Sequence, residues 1–173
     1  NMRLDYLKLC SKLAGGRRLV RSYFYTAVSN QSEGKIDFIN FLKLNGFTVI
    51  TREIKSFNDG DHSTRNVRGS LDMEMAIDAL DMSEKLDTVI LCTGDGDFKP
   101  LIQALGRRGV HVEVCALREM TSTELIATAD VYTDLASMKE DIALAGAPIA
   151  PREVRNEIPA ADTEDFNTYK TQN

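Results

Sequence analysis

The stretch Thr88-Val89-Ile90-Leu91-Cys92-Thr93-Gly94-Asp95-Gly96-Asp97-Phe98 decides how this chain is read. Its first six residues form an apolar, β-branched run between Asp87 and Gly94, the pattern of a strand covered on both faces. Ligands of open parallel sheets gather at the carboxyl ends of the strands. At that end this chain carries two carboxylates, Asp95 and Asp97, in a turn that the glycines allow to bend tightly. Carboxylates two residues apart repel each other unless a cation or a hydrogen-bond network compensates. Mg2+ or Mn2+ prefers such hard oxygen ligands and keeps waters that substrate can replace. The plainer reading is a solvated Asp-Gly turn, and the buried strand in front of it favours the functional one.

Working outward, apolar residues at helical spacing predict a helix over residues 2–14, closed by Gly15-Gly16, and a strand over 17–28. A helix over 32–45 and a strand over 47–54 follow, with Gly46 suited to the helix end. Residues 56–69 contain Asn58-Asp59-Gly60-Asp61 and almost nothing apolar, which reads as a mobile loop. A third helix is expected over 70–85 with Ser70 as its N-cap. Beyond Asp97, Pro100 opens a helix that ends at Gly109, and 110–116 is a strand. A short helix over 121–128 has Thr121 and Glu124 placed for a capping box. Residues 131–132 read as a last short strand, and 134–145 as a final helix. Strict alternation of helix and strand implies right-handed crossovers and a parallel sheet covered on both sides.

The chain has 173 residues, enough for one compact domain. Three of its four prolines, Pro148, Pro151 and Pro159, fall after Gly146. The expected organisation is therefore a domain over 1–145 and an extended tail over 146–173. Twenty-one Lys and Arg against 26 Asp and Glu give a formal charge of −5, which excludes a strongly basic nucleic-acid binder but not a local basic rim. No apolar run is long enough to span a membrane, and the first residues lack the order of a secretory signal. Cys10, Cys92 and Cys115 are scattered and odd in number, which reads as reduced thiols in a cytoplasmic protein. Two histidines and no CxxC pair rule out a finger-type zinc site.

Asp72 is the next acidic candidate. Glu74, Asp78 and Asp81 share one side of the third helix and read as a solvated stripe, whereas Asp72 points roughly 150° away, between Ala76 and Ala79. It also lies in the first turn, where the helix dipole favours an anion, so a capping role competes with a site role. Arg65, Arg68 and Lys99 flank these acids; cations there suit the phosphates of a phosphodiester, or are simply solvated. His62 and Cys92 read as a bystander and as packing.

Together these motifs resemble the NYN domain, the LabA-like branch of the PIN-like nucleases. The resemblance is carried by Arg68-Gly69-Ser70-Leu71-Asp72 at a helix start and by Thr93-Gly94-Asp95-Gly96-Asp97-Phe98 after a strand. Arg108-Gly109 before an apolar strand and the late Ser122, Leu125, Ala129 and Asp130 complete it, over about residues 1–135. It implies a three-layer α/β/α sandwich on a mostly parallel, Rossmann-like sheet of order 3-2-1-4-5. It further implies a metal-dependent ribonuclease in which Asp72, Asp95 and Asp97 hold Mg2+ or Mn2+ and act in catalysis, with Asp78 a weaker match to the metal positions. Asn1, Ser70 and Thr93 join Arg65, Arg68 and Lys99 as substrate-binding positions, and RNA, single-stranded RNA included, is the implied partner. The family opens with a strand ending in Asp-Gly-x-Asn, and Asn1 looks like that Asn. The resemblance therefore places strand 1 and its metal-binding Asp upstream of Asn1, in roughly ten further residues.

Two readings compete with a nuclease. One is an RNA-binding or regulatory module that keeps the fold without turnover, which the acidic charge favours and for which the tail offers a site for a protein partner or a second copy. The other is a phosphatase, because Gly94-Asp95-Gly96-Asp97 also resembles the late metal motif of haloacid-dehalogenase enzymes. Those enzymes need an N-terminal Asp-x-Asp that this sequence does not display.

Overall fold

A computed structural model describes residues 3–28, 33–53, 55–59, 63–67 and 71–144. Its strands form two parallel ladders and one antiparallel hairpin. In the first ladder β1 (Ser22–Val28) pairs with β2 (Phe47–Glu53), Ser22 opposite Phe47 and Val28 opposite Glu53. The second ladder runs β5 (Thr88–Leu91), β6 (His111–Ala116), β7 (Val131–Asp134), with Leu91 opposite Val114. These ladders occupy the places 3-2 and 4-5 of the expected order, and β7 adds one strand outside them. Among the described residues no ladder joins β1 to β5.

Helices bind the two ladders into one body. On one face lies α1 (Tyr6–Ala14), whose N-cap Asp5 accepts the Leu7 and Lys8 amides and whose C-cap Gly15 takes a left-handed φ of 56°. Its Tyr6 ring meets Phe24 of β1 edge-on and Phe38 of α2 (Glu33–Leu44), and its Leu9 packs with Cys115, Met138 and Ile142. The Asp5 amide donates to the Ile142 carbonyl, which ties α1 to α6 (Lys139–Ile142). On the other face α3 (Asp72–Met82) sends Met75, Ala76, Ala79 and Leu80 onto the core of β5 and β6. The same helix meets β1, where the Tyr25 hydroxyl donates to Asp78 and Tyr23 reaches Met82. The centre of the core is Leu105 of α4 (Lys99–Arg107), Val112, Val114 and Leu125 of α5 (Thr123–Thr128), all fully buried. Three layers result, as expected.

Several expectations need correction. The segment read as a loop is a hairpin, β3 (Lys55–Asp59) against β4 (Ser63–Val67). Its strands carry only Phe57 and Val67 as apolar residues, too few for hydrophobic alternation to show them, but Asn58-Asp59-Gly60 is a hairpin-turn signal. The helix read from Ser70 begins at Asp72, with Leu71 at the N-cap position and no side-chain cap; Ser70 itself lies outside the described residues. Glu74 and Asp78 are not a solvated stripe. Both are half-buried against β1 and β2, where Arg52 pairs with Glu74, while Asp72, expected to face the sheet, is exposed. The capping box of α5 does not form: Thr121 donates its hydroxyl to the Leu117 carbonyl, and Ser122 takes the N-cap position. On β5 only Leu91 is fully covered, Val89 and Ile90 being half-buried. The expected tail, 146–173, lies outside the described residues.

Candidate functional site

The site grows from the end of β5. After Leu91 the chain leaves the ladder, and the Asp95 amide donates to the Thr93 hydroxyl at 3.2 Å. Asp95 then turns its own carboxylate back to accept the Asp97 amide at 3.0 Å and caps a single helical turn, Gly96–Phe98, that leads into α4. Phe98 is buried in the core and pins the turn from below, which leaves Asp95 and Asp97 exposed. Compactness here depends on glycine: a Cβ built on Gly94 would stand 2.2 Å from the Met120 carbonyl oxygen, and one on Gly96 would stand 2.9 Å from the Ser122 hydroxyl. The Ser122 amide also donates to the Gly94 carbonyl at 2.9 Å.

Asp72 reaches the same edge by topology. Tyr25 meets Asp78 and Tyr23 meets Met82, so α3 runs antiparallel to β1. After a single turn over Ser83–Lys85 the chain reverses into β5. The start of α3 and the end of β5 therefore lie on one side of the sheet. Among the described residues, however, no three His, Cys, Asp or Glu side chains converge closely enough to hold a metal ion. Asp95 and Asp97 share a turn, and Asp72 stands at the same edge without closing a three-carboxylate group with them.

Asp78, the weaker match to the metal positions, is engaged by β1. It accepts the Tyr25 hydroxyl at 2.9 Å, and burial together with this hydrogen bond pushes the Tyr25 phenol well up. Lys99 donates to Glu124 at 2.8 Å and holds that carboxyl below its ordinary range, so this cation is already engaged. Thr93 is half-buried and oriented by the Asp95 amide. Asn1 and Arg68, like Ser70, lie outside the described residues, as does the side chain of Arg65 on β4. The sequence reading gave no site role to Ser122 or Glu124. Their signal was the late Ser-x-x-Leu pattern, which places Ser122 against Gly96 and Glu124 within reach of Lys99.

The family model of the NYN domain matches residues 1–136. The chain belongs to the NYN domain family. The low amplitude and bright protein LabA of Synechococcus elongatus is 33% identical over 125 residues, spanning 72% of this chain and 67% of that protein. A crystal structure of a protein of unknown function from Vibrio parahaemolyticus superimposes with a TM-score of 0.68 at 26% identity, over 83% of each chain. Family and fold are thus in hand for this NYN domain, and both are consistent with a nuclease-like, RNA-related function. No helix among the described residues is long and apolar enough to cross a membrane.

Proposed function

We propose that this NYN domain hydrolyses phosphodiester bonds of RNA at the carboxyl edge of its sheet, with a divalent metal held by Asp95 and Asp97 and joined by Asp72. The observation that carries this reading is the exposed Asp95–Asp97 turn, built by a buried anchor and two close-packed glycines at the end of β5. The donor chemistry fits Mg2+ or Mn2+, which is commonly held by one or two carboxylates and completes its shell with water and substrate phosphate. Such an ion supplies a Lewis acid and an activated water. The residues of the chain hold and orient. Thr93 fixes the turn through the Asp95 amide, Ser122 braces it through Gly94 and Gly96, and Lys99 borders it. Asn1, Arg65, Arg68 and Ser70 are proposed to contact the RNA. This assigns the chemistry to 1–145, in a cytoplasmic setting, and leaves 146–173 for a protein partner or a second copy.

The test is cleavage of single-stranded RNA by the full chain with and without Mn2+ or Mg2+. A metal of this kind contributes several kcal/mol to the transition state, which at about 1.4 kcal/mol per tenfold means that Asp95→Asn loses at least about 100-fold in rate. Cleavage that survives this change, or proceeds in EDTA, refutes the proposal. A second reading, RNA binding without turnover, draws on two observations: the described acids do not close around an ion, and Lys99 is committed to Glu124. Saturable RNA binding with no product in either metal selects it.

A further inference from the structure

We infer that Cys92 and Cys115 form a thiol pair that hydrogen peroxide oxidises to a disulfide across β5 and β6, at the base of the acidic turn. The sheet places them together. Leu91 is opposite Val114, so the next residue of each chain is Cys92 and Cys115, and neighbouring strands lie about 4.8 Å apart. Bridged cysteines have Cα atoms about 4.4–6.8 Å apart. The faces agree as well. Leu91 points into the core with Val112 and Val114, so alternation turns Cys92 to the side of Ile90, which packs against the cluster containing Cys115.

Cys92 is exposed and lies one residue beyond the end of β5, outside the ladder that pairs β5 with β6. The contact between the two thiols brings the Cys115 pKa down and, with desolvation of the sulfur, pushes the Cys92 pKa well up, so Cys92 meets peroxide through a minor ionised fraction that grows as pH rises. Cys115 is thereby suited to attack as a thiolate.

The step balances. Cys92, having released its proton to solvent, attacks one peroxide oxygen; the O–O bond breaks, water leaves, and a sulfenic acid remains. The Cys115 thiolate then attacks the Cys92 sulfur, the S–O bond breaks, and hydroxide departs to take up a proton. Overall, two thiols are oxidised, one peroxide is reduced, and two waters form.

The location gives the bond its consequence. Cys92 leads into Thr93–Asp97 and Cys115 into the Leu117–Ser122 segment, and these two segments already touch through Gly94 and Met120. A bond between their roots pulls on both walls of the acidic site.

The test treats the full chain with hydrogen peroxide, alkylates remaining thiols, and reads intact and peptide masses. Expected is a loss of about 2 Da, two of the three thiols blocked from alkylation, and one cross-linked peptide pair containing Cys92 and Cys115, all reversed by dithiothreitol. Cys92→Ser should abolish the bridge, and Cys10→Ser should leave it intact. A bridge between Cys10 and Cys92, three alkylatable thiols after treatment, or irreversible oxygen adducts alone would overturn the inference. None of these readouts depends on RNA cleavage, so the inference stands or falls apart from the proposed activity.

Discussion

Tyr25 and Asp78 show how one hydrogen bond assigns a residue. Asp78 matches an acidic position of its family, yet its carboxylate is half-buried and already accepts a phenol from β1. That bond helps to hold α3 against the first ladder. Tyr25→Phe should therefore cost about 1 kcal/mol of stability in denaturant unfolding, the net value of one such bond, while RNA cleavage stays unchanged. A large loss of cleavage without a loss of stability would return Asp78 to the metal. Gly94 carries the opposite kind of information. A methyl group there meets the Met120 backbone rather than a yielding side chain, so Gly94→Ala should destabilise by about 1–3 kcal/mol and impair cleavage with it. The need for glycine is legible in the sequence as a turn. Which backbone presses on it is not, because Met120 arrives from the helical turn Arg118–Met120 that follows β6.

At the scale of elements, the parallel strands and their helices could be read from periodicity, since each buries a face. The β3–β4 hairpin could not be read that way, Phe57 and Val67 being the only apolar residues in its two strands. The Glu74–Asp78 line misled for a related reason: helical phase tells which residues share a side, but not which neighbour that side meets. Arg17, in the connection between α1 and β1, shows what sequence distance hides. Its guanidinium forks onto Glu113 of β6, at 2.5 and 3.0 Å, and holds that carboxyl below its ordinary range. A depressed carboxyl stabilises the fold above the unfolded-state pKa, here 4.5, and that contribution fades as pH falls through the lower folded value. Arg17→Met should therefore be less stable than the parent at pH 7, with the difference shrinking below about pH 4.5. A difference independent of pH, in urea melts across that range, would contradict the role assigned to this pair.

Over the whole molecule, the two ladders are held together by α1 on one face and α3 on the other. Because α3 runs against the strands, its first residue lies at the same edge as the end of β5, and acids more than twenty positions apart come to one edge. That edge was legible: a buried strand, two glycines and two carboxylates specify a turn at a strand's carboxyl end in any open α/β sheet. The final distances between Asp72 and the turn were not, since they depend on how helix and sheet pack. The most direct measurement of the central claim is anomalous scattering from crystals of this chain soaked in manganese. The account predicts a peak bonded to carboxylate oxygens of Asp95 and Asp97, at about 2.0–2.6 Å, with Asp72 at its rim. An edge that stays empty while Mn2+ binds elsewhere, or nowhere, would contradict it.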